Sequence, residues 1–180
     1  MKKKYIKKIA YSALFLAIAL ILPFFTGQIK EIGNMLLPMH IPVLLCGFIC
    51  GWQYGLAVGF MAPLLRSFLF GMPMLYPSAV SMAFELATYG LVAALLYRLF
   101  KRRNILSAYL SLIGAMLCGR VVWGIVQTVL VGISGKAFSF AMFITSAFVN
   151  AVPGIILQLI LIPSLVVIIS KFAFSEKNNG

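Results

Sequence analysis

The sequence predicts an all-α integral membrane protein with six transmembrane helices and with both its N-terminus and its C-terminus in the cytoplasm. Of its 180 residues, 63% are hydrophobic and only 10% are charged, whereas a soluble domain carries roughly 25% charged residues. The hydrophobic residues form long runs, and basic residues gather at the ends of those runs. Both features are typical of a chain whose solvent is lipid. We therefore predict a single membrane domain over residues 1–180 and no soluble domain.

Charge and cysteine usage exclude several other classes. The net charge of +12 does not indicate nucleic-acid binding, because the basic residues form no groove interleaved with aromatic residues. The apolar run Ile9–Phe25 is too long for a signal peptide, and no small-x-small cleavage site follows it. Cys46, Cys50 and Cys118 have no companion at zinc spacing, so we predict buried thiols with neither a metal nor a disulfide.

Six segments are candidate spans, because an apolar helix needs roughly 20 residues to cross the hydrocarbon core. The second segment is short, and the sixth is expected to bend at Pro153. The predicted spans are residues 9–25, 38–51, 54–70, 79–100, 106–131 and 140–169.

Charge decides whether the second and third spans are separate. The stretch Gly51–Gly55 is compatible with a tight turn or with the middle of one long helix. The lysines at positions 2, 3, 4, 7 and 8 place the N-terminus inside by the positive-inside rule. With a turn at Gly51–Gly55, the basic cluster at 98–103 and the C-terminal tail also lie inside. Six spans satisfy the rule and five do not.

Helix breakers and small residues predict loops and packing surfaces. The segments Thr26–Pro38 and Gly71–Ser78 contain Gly and Pro and are predicted outer loops. Glycines recur every fourth residue from position 47 to position 59, a spacing that lets helix backbones approach closely in lipid. The turn divides this series between two helices. Ala13 and Ala17 form a similar small surface on the first span, which faces either another protein or a helix of this chain.

A few polar side chains lie inside the predicted spans, where they are costly and usually functional. Helical rise places them near the midplane or in the outer half of the membrane, which indicates one shared pocket of mostly apolar walls with a few polar groups. They are Arg66, Glu85, Arg120, Gln127 and Asn150, with His40 at a span end. Tyr89 shares a face with Glu85, and Trp123 and Gln127 share a face with Arg120.

The buried charges suggest the chemistry of a ligand. Two arginines and one glutamate sum to +1, and a ligand with one carboxylate would neutralise the pocket. The alternative is that Glu85 pairs with one arginine while the other extends to an interface. No pair of intramembrane carboxylates supports acid–base catalysis, and Gly135-Lys136 lacks the surrounding residues of a phosphate-binding loop. We therefore predict that the chain is not an enzyme and does not itself hydrolyse ATP.

Several stretches resemble the substrate-binding S components of energy-coupling factor (ECF) vitamin transporters, over nearly the whole chain. Besides the basic N-terminus, the residues that carry the resemblance are the Ala13-x-x-x-Ala17 pair, Leu37-Pro38-Met39-His40-Ile41-Pro42-Val43-Leu44-Leu45, Gly55-x-x-x-Gly59, Pro63, Gly71-Met72-Pro73 and Phe84-Glu85-Leu86-Ala87-x-Tyr89-Gly90.

The resemblance implies a multi-pass protein of a bacterial plasma membrane, with six helices and one vitamin pocket near the outside. It implies docking on a membrane coupling subunit that carries two cytoplasmic ATPases, so ATP is used by partners and this chain binds no cofactor. It assigns contact with the coupling subunit to Ala13 and Ala17.

The Leu37–Pro42 stretch is most similar to the pantothenate group, and pantothenate carries one carboxylate. Biotin, riboflavin and a pyrimidine precursor remain alternatives. In our hypothesis, Arg120, or failing that Arg66, binds the carboxylate, while Glu85, Gln127 and Asn150 take hydroxyl and amide groups. Trp123, Tyr89 and Tyr76 form the apolar wall of the pocket. The loops Gly27–His40 and Gly71–Ser78 close over the ligand, and His40 braces the first of them.

Three other classes compete with this hypothesis. A membrane enzyme using Glu85 and His40 predicts turnover without partners. A solitary secondary transporter predicts uptake that follows an ion gradient. A structural protein predicts that no small molecule raises the melting temperature.

Overall fold

The computed structural model describes residues 2–26, 37–100, 104–135 and 137–178, and side chains from residue 5 to residue 169 within those ranges. Seven α-helices lie in this part of the chain. They are α1 (Lys2–Ile21), α2 (His40–Cys50), α3 (Trp52–Phe70), α4 (Val80–Leu99), α5 (Ile105–Ile133), α6 (Phe140–Ile144) and α7 (Val152–Asn178). A 3-10 turn, Leu22–Thr26, follows α1, and π turns precede α4 (Leu75–Ala79) and follow α6 (Thr145–Val149).

The described residues contain no strand, which confirms the prediction of an all-α chain. Within them, four helices are long and apolar enough to cross a membrane: Tyr5–Phe25, Leu75–Leu99, Ile105–Ile133 and Val152–Ile169. Two shorter apolar helical segments are His40–Cys50 and Phe140–Val149. Most of the first predicted outer loop, Thr26–Pro38, lies outside the described residues, which omit 27–36; Lys101, Arg102, Arg103 and Lys136 are also outside them.

Local sequence explains where several helices begin and end. Asn104 caps α5 by accepting a hydrogen bond from the backbone N–H of Ser107 at 3.0 Å, and this satisfies a donor that the first turn leaves free. Gly71 ends α3 in the left-handed conformation (φ 70°), and its N–H bonds the carbonyl of Ser67 at 2.9 Å.

Two helix boundaries bear directly on the predicted spans. The predicted turn between the second and third spans is confirmed, because Gly51 (φ 107°) alone separates α2 from α3. The predicted sixth span is not one bent helix from residue 140. It breaks at Asn150–Ala151, where a π turn ends and α7 begins at Val152. Pro153 lies in the first turn of α7, a position at which its missing N–H costs nothing.

Contacts between helices fix their directions. We call the end of the bundle where α1 and α3 finish the upper end. Arg66 of α3 bonds Leu20 of α1, and Lys8 lies 5.8 Å from the centre of the Tyr54 ring, so α1 and α3 both run upwards. A Cβ on Gly55 would meet Gly90, and one on Gly114 would meet Leu96.

Further along the same pairs of helices, Gly59 meets Leu86 and Gly119 meets Tyr89, so α4 runs down and α5 runs up. α7 runs down, because Leu157 and Leu161 line a cleft with Leu22 and Pro38 near the upper end. Further along α7, Val166 joins a core cluster with Tyr97, close to the lower end of α4.

Glycines let α2, α3 and α4 meet at one point, which we call the glycine junction (Gly47, Gly55 and Gly90). A Cβ built on Gly47 would lie 2.5 Å from the carbonyl oxygen of Gly90, and one on Gly55 would lie 2.7 Å from the same atom. Gly59 meets the backbone of Leu86 in the same way. The predicted use of the glycine series by two adjacent helices is confirmed, and α4 is a third participant.

Candidate functional site

Four buried polar side chains from three helices form a layer in the upper half of the bundle, which we call the polar layer: His40, Glu85, Tyr89 and Arg120. Nη1 of Arg120 lies 2.9 Å from Oε1 of Glu85, and Nε2 of His40 lies 3.7 Å from the same oxygen. The rings of His40 and Tyr89 pack edge to face with their centres 5.2 Å apart. Glu85 is 2% exposed and Arg120 is 5% exposed.

The polar layer is short of hydrogen-bond partners. Oε1 of Glu85 is close enough to Arg120 for an ion pair, but among the described residues it accepts no aligned hydrogen bond. Within the same ranges, Nε and Nη2 of Arg120 also lack hydrogen bonds, and the ring nitrogens of His40 and the hydroxyl of Tyr89 make none of good geometry, although both side chains lie against Glu85. Buried polar groups are normally satisfied, and each one that is not destabilises the fold. Such a cluster is typical of a site completed by a ligand or water.

Small residues hold the layer together. A Cβ on Gly119 would overlap the ring of Tyr89, so only glycine at this position lets that ring pack between α4 and α5. Gly119 precedes Arg120, and Gly90 follows Tyr89. The glycine junction therefore lies directly beneath the layer and fixes the height of α4, which carries both Glu85 and Tyr89.

Arg66 lies away from the layer, at the upper ends of α1 and α3. Its Nη1 donates to the carbonyl oxygen of Leu20 at 2.6 Å, and its guanidinium lies 5.0 Å from the ring centre of Phe24 and 5.5 Å from that of Phe70. Leu20 is in the last turn of α1, whose carbonyls have no helical partner and attract cations. The predicted pocket charge of +1 assumed that Arg66 and Arg120 share one pocket with Glu85. The polar layer holds only Arg120 and Glu85, and their charges sum to zero with His40 neutral.

The other predicted site residues lie in the segment before α4, on the upper part of α5 and at the break before α7. Trp123 stacks on Phe143, with ring centres 6.2 Å apart, and the buried Oε1 of Gln127 has no partner among the described residues. Tyr76 donates to the carbonyl of Leu130, which ties the outer segment before α4 to the end of α5. Asn150 is exposed at the break before α7.

One polar residue that the sequence reasoning missed lies in the interior. Gln158 of α7 is 0% exposed, and neither its Oε1 nor its Nε2 has a hydrogen-bond partner in the described ranges. The signal was available, because Gln158 is a polar residue in an apolar run. The same criterion selected the uncharged amides Gln127 and Asn150 and should have selected Gln158 as well.

An apolar cleft lies beside the polar layer. This cleft has a volume of about 380 Å³ and is bounded by α1, the start of α2 and α7. Ile41 and Pro42 face it from α2, and Leu157 and Leu161 face it from α7. A second cleft of about 540 Å³ lies between α5 and α6, next to Gly124 and Phe143. Among the described residues, no group of three or more His, Cys, Asp or Glu side chains could hold a metal ion.

These features define a multi-pass membrane protein with a buried, incompletely bonded polar layer. A family model described as "ECF transporter, substrate-specific component" matches residues 7–166. The chain belongs to this family of energy-coupling factor transporter subunits. The family is a transporter component and not an enzyme, and membership implies a complex with a coupling subunit and ATPases. No curated protein matches the chain. No solved structure matches it either.

Proposed function

We propose that this chain is the high-affinity substrate-binding subunit of an ATP-driven vitamin importer, and that its substrate carries a carboxylate, with pantothenate the favoured candidate. The observation that carries the proposal is the unpaired edge of Arg120. Nη1 is engaged with Glu85, while Nε and Nη2 are free of partners among the described residues. These two N–H groups lie on one side of the guanidinium and match the two oxygens of a carboxylate.

The surroundings of Arg120 support this role. Because the side chain is only 7% exposed, water does not compete strongly for its N–H groups, and a charge-assisted bidentate pair is worth more there than at a surface. Tyr89 and His40 have unpaired polar atoms beside it. They supply hydrogen bonds for the hydroxyl or amide groups of a small vitamin.

The outward face of α1 supports a protein partner. Ala13 and Ala17 are exposed, and they share that face with Ile6, Ile9 and Leu14, which are also exposed. A face of small and branched apolar residues suits close packing against another membrane helix. We assign this face to the coupling subunit.

The helix directions support six membrane crossings with both ends in the cytoplasm. α1 to α5 and α7 alternate in direction, so the beginning of α1 and the end of α7 lie at the same end of the bundle. The basic residues Lys7, Lys8 and Arg98 lie at that lower end, as the positive-inside rule requires of a cytoplasmic face. In this arrangement the polar layer lies nearer the outside, where a binding subunit receives its substrate.

A neutral vitamin such as riboflavin is the second candidate. The formal charge of the layer is zero, because Glu85 already balances Arg120. A neutral ligand would keep that balance and use the unpaired groups as hydrogen-bond partners. A carboxylate would add one negative charge but would gain the bidentate pair with Arg120.

The test is the melting temperature of the purified chain in detergent against pantothenate, biotin, riboflavin and a pyrimidine precursor. A ligand at a hundred times its Kd stabilises the fold by about 2.7 kcal/mol, which is readily measured. We expect pantothenate to raise the melting temperature. A shift with riboflavin alone would replace the carboxylate proposal by the neutral one, and no shift with any vitamin would contradict the proposed function.

Arg120→Lys isolates the role of the guanidinium edge, because lysine keeps the charge opposite Glu85 but offers no bidentate edge. We expect pantothenate to bind this variant at least about tenfold more weakly, the loss expected when a charged hydrogen bond is removed. Arg98→Lys, at the exposed lower end of α4, is the matched control. Equal affinity of both variants would show that Arg120 does not bind the carboxylate.

A further inference from the structure

Gln158 is a fully buried polar side chain that the proposed site does not yet use. It is 0% exposed, and both ends of its amide lack partners among the described residues. An amide can accept at its oxygen and donate two hydrogen bonds from its nitrogen. Removing all of these from water without replacement destabilises the fold. A leucine would fill the same volume without that cost, so the amide calls for a partner from outside the described side chains.

The register of α2 and α7 places Gln158 level with the polar layer. α2 runs down, because it ends at Gly51, where α3 begins to run up, and α7 also runs down. Leu44 of α2 and Ile162 of α7 belong to the same buried cluster. One turn above each of them lie His40 and Gln158. The helices are adjacent here, because Ile41 of α2 lines the 380 Å³ cleft together with α7 side chains.

The register of α7 against α5 also places Gln158 level with the polar layer. α5 runs up, and its residues Leu112 and Met116 lie in the cluster that contains Ile162. Moving up one turn on each helix takes Met116 to Arg120 and Ile162 to Gln158. The buried stripe of α7, which includes Gly154, Gln158 and Ile162, faces inwards at this height, while Leu157 faces the cleft.

We propose that Gln158 is a substrate-contacting and specificity-determining residue that bonds an uncharged hydroxyl or amide group of the ligand. The inference rests on the proposed function and adds to it a contact from α7. Arg120 takes the carboxylate from α5, and Gln158 takes a neutral polar group from the other side of the layer. α7 thereby becomes part of the binding site and not only of its support.

The experiment compares Gln158→Leu with wild type in two measurements: the melting temperature without ligand and the Kd for the vitamin that stabilises wild type in the panel above. We expect the variant without ligand to melt at or above the wild-type temperature, because two unpaired polar atoms are removed. We expect its affinity to fall about tenfold, because a ligand group is buried without its partner.

Ser111→Ala is the matched control. Its hydroxyl is also 0% exposed and lacks a partner among the described residues, but it lies nine residues below Arg120 on α5, about 13 Å along the helix axis. We expect this variant to bind the vitamin with unchanged affinity. A loss of affinity in Gln158→Leu but not in Ser111→Ala would support the proposal.

The opposite pattern would overturn the proposal. If Gln158→Leu melts lower than wild type without ligand and binds the vitamin with unchanged affinity, Gln158 is a structural contact between helices. If wild type binds a vitamin and Gln158→Leu binds it equally, only the role of Gln158 fails. If wild type binds none of the vitamins, the proposed function fails and the inference fails with it.

Discussion

Replacing Gly90 by alanine tests the glycine junction, on which the height of α4 depends. The new Cβ would overlap the backbone of Gly55. Backbone atoms cannot turn aside as a side chain can, so α3 and α4 must separate. Overpacking of this kind costs typically 1 to 3 kcal/mol, and the contact with backbone places Gly90→Ala near 3 kcal/mol. The better helix propensity of alanine returns about 1 kcal/mol.

The expected net loss is about 2 kcal/mol of unfolding free energy. For a chain of this length, each kcal/mol shifts the melting temperature by about 2–4 °C, so we expect a decrease of about 4–8 °C in detergent. Gly132→Ala is the control, because Gly132 is an exposed glycine in α5 and a Cβ added there would meet no atom within 4 Å. It should melt at or slightly above the wild-type temperature.

The same variant connects packing with binding. α4 carries Glu85 and Tyr89, so its separation from α3 should also weaken vitamin binding, whereas Gly132→Ala should not. Gly90→Ala melting at or above the temperature of Gly132→Ala would refute the close approach of α3 and α4 at this point. Unchanged affinity together with a lower melting temperature would show that the layer does not depend on the junction.

Three further substitutions separate binding, docking and stability. Gly119→Ala should push the ring of Tyr89 away and raise the Kd for the vitamin about tenfold or more, measured by isothermal titration. Ala13→Leu combined with Ala17→Leu should leave vitamin binding by the isolated chain intact but abolish co-purification with the coupling subunit and uptake in cells; retained uptake would exclude this face. Arg66→Gln should lower the melting temperature by about 2–6 °C, through loss of roughly 1–1.5 kcal/mol of hydrogen bonding, with unchanged Kd; a weaker Kd would return Arg66 to the site.

Much of the fold followed from local features of the sequence. The apolar runs predicted helices, and the charge pattern required a turn near Gly51, which the structure has. The glycine spacing predicted close helix packing, and Gly47 and Gly55 do approach closely. These features depend on periodicity and backbone freedom, which are properties of short stretches. The pairing of Glu85 with Arg120 was open as one of two alternatives, because any buried acid in lipid needs a cation.

The parts that could not be predicted depend on the relative positions of distant segments. Arg66 was grouped with Arg120 by depth alone, and depth does not reveal which side of a helix meets which neighbour. Its position beside Leu20 is set by the end of α1. The break at Asn150–Ala151 has no strong local breaker, because Pro153 suits the first turn of a helix as well as a bend. Gln158, by contrast, gave the same signal as Gln127 and Asn150, a polar amide in an apolar run, and could have been predicted.

The polar layer explains why this membrane chain keeps a costly interior. An ion pair and several unpaired groups destabilise a buried site, and apolar residues of the same volume would stabilise it. The cost is a reason to seek a ligand, since each buried group without a protein partner is available for a hydrogen bond to a substrate. A ligand that satisfies Arg120 and Gln158 from opposite sides would also join α5 to α7. Binding and tightening of the bundle would then be one event, so a coupling subunit contacting α1 could distinguish the loaded state from the empty one.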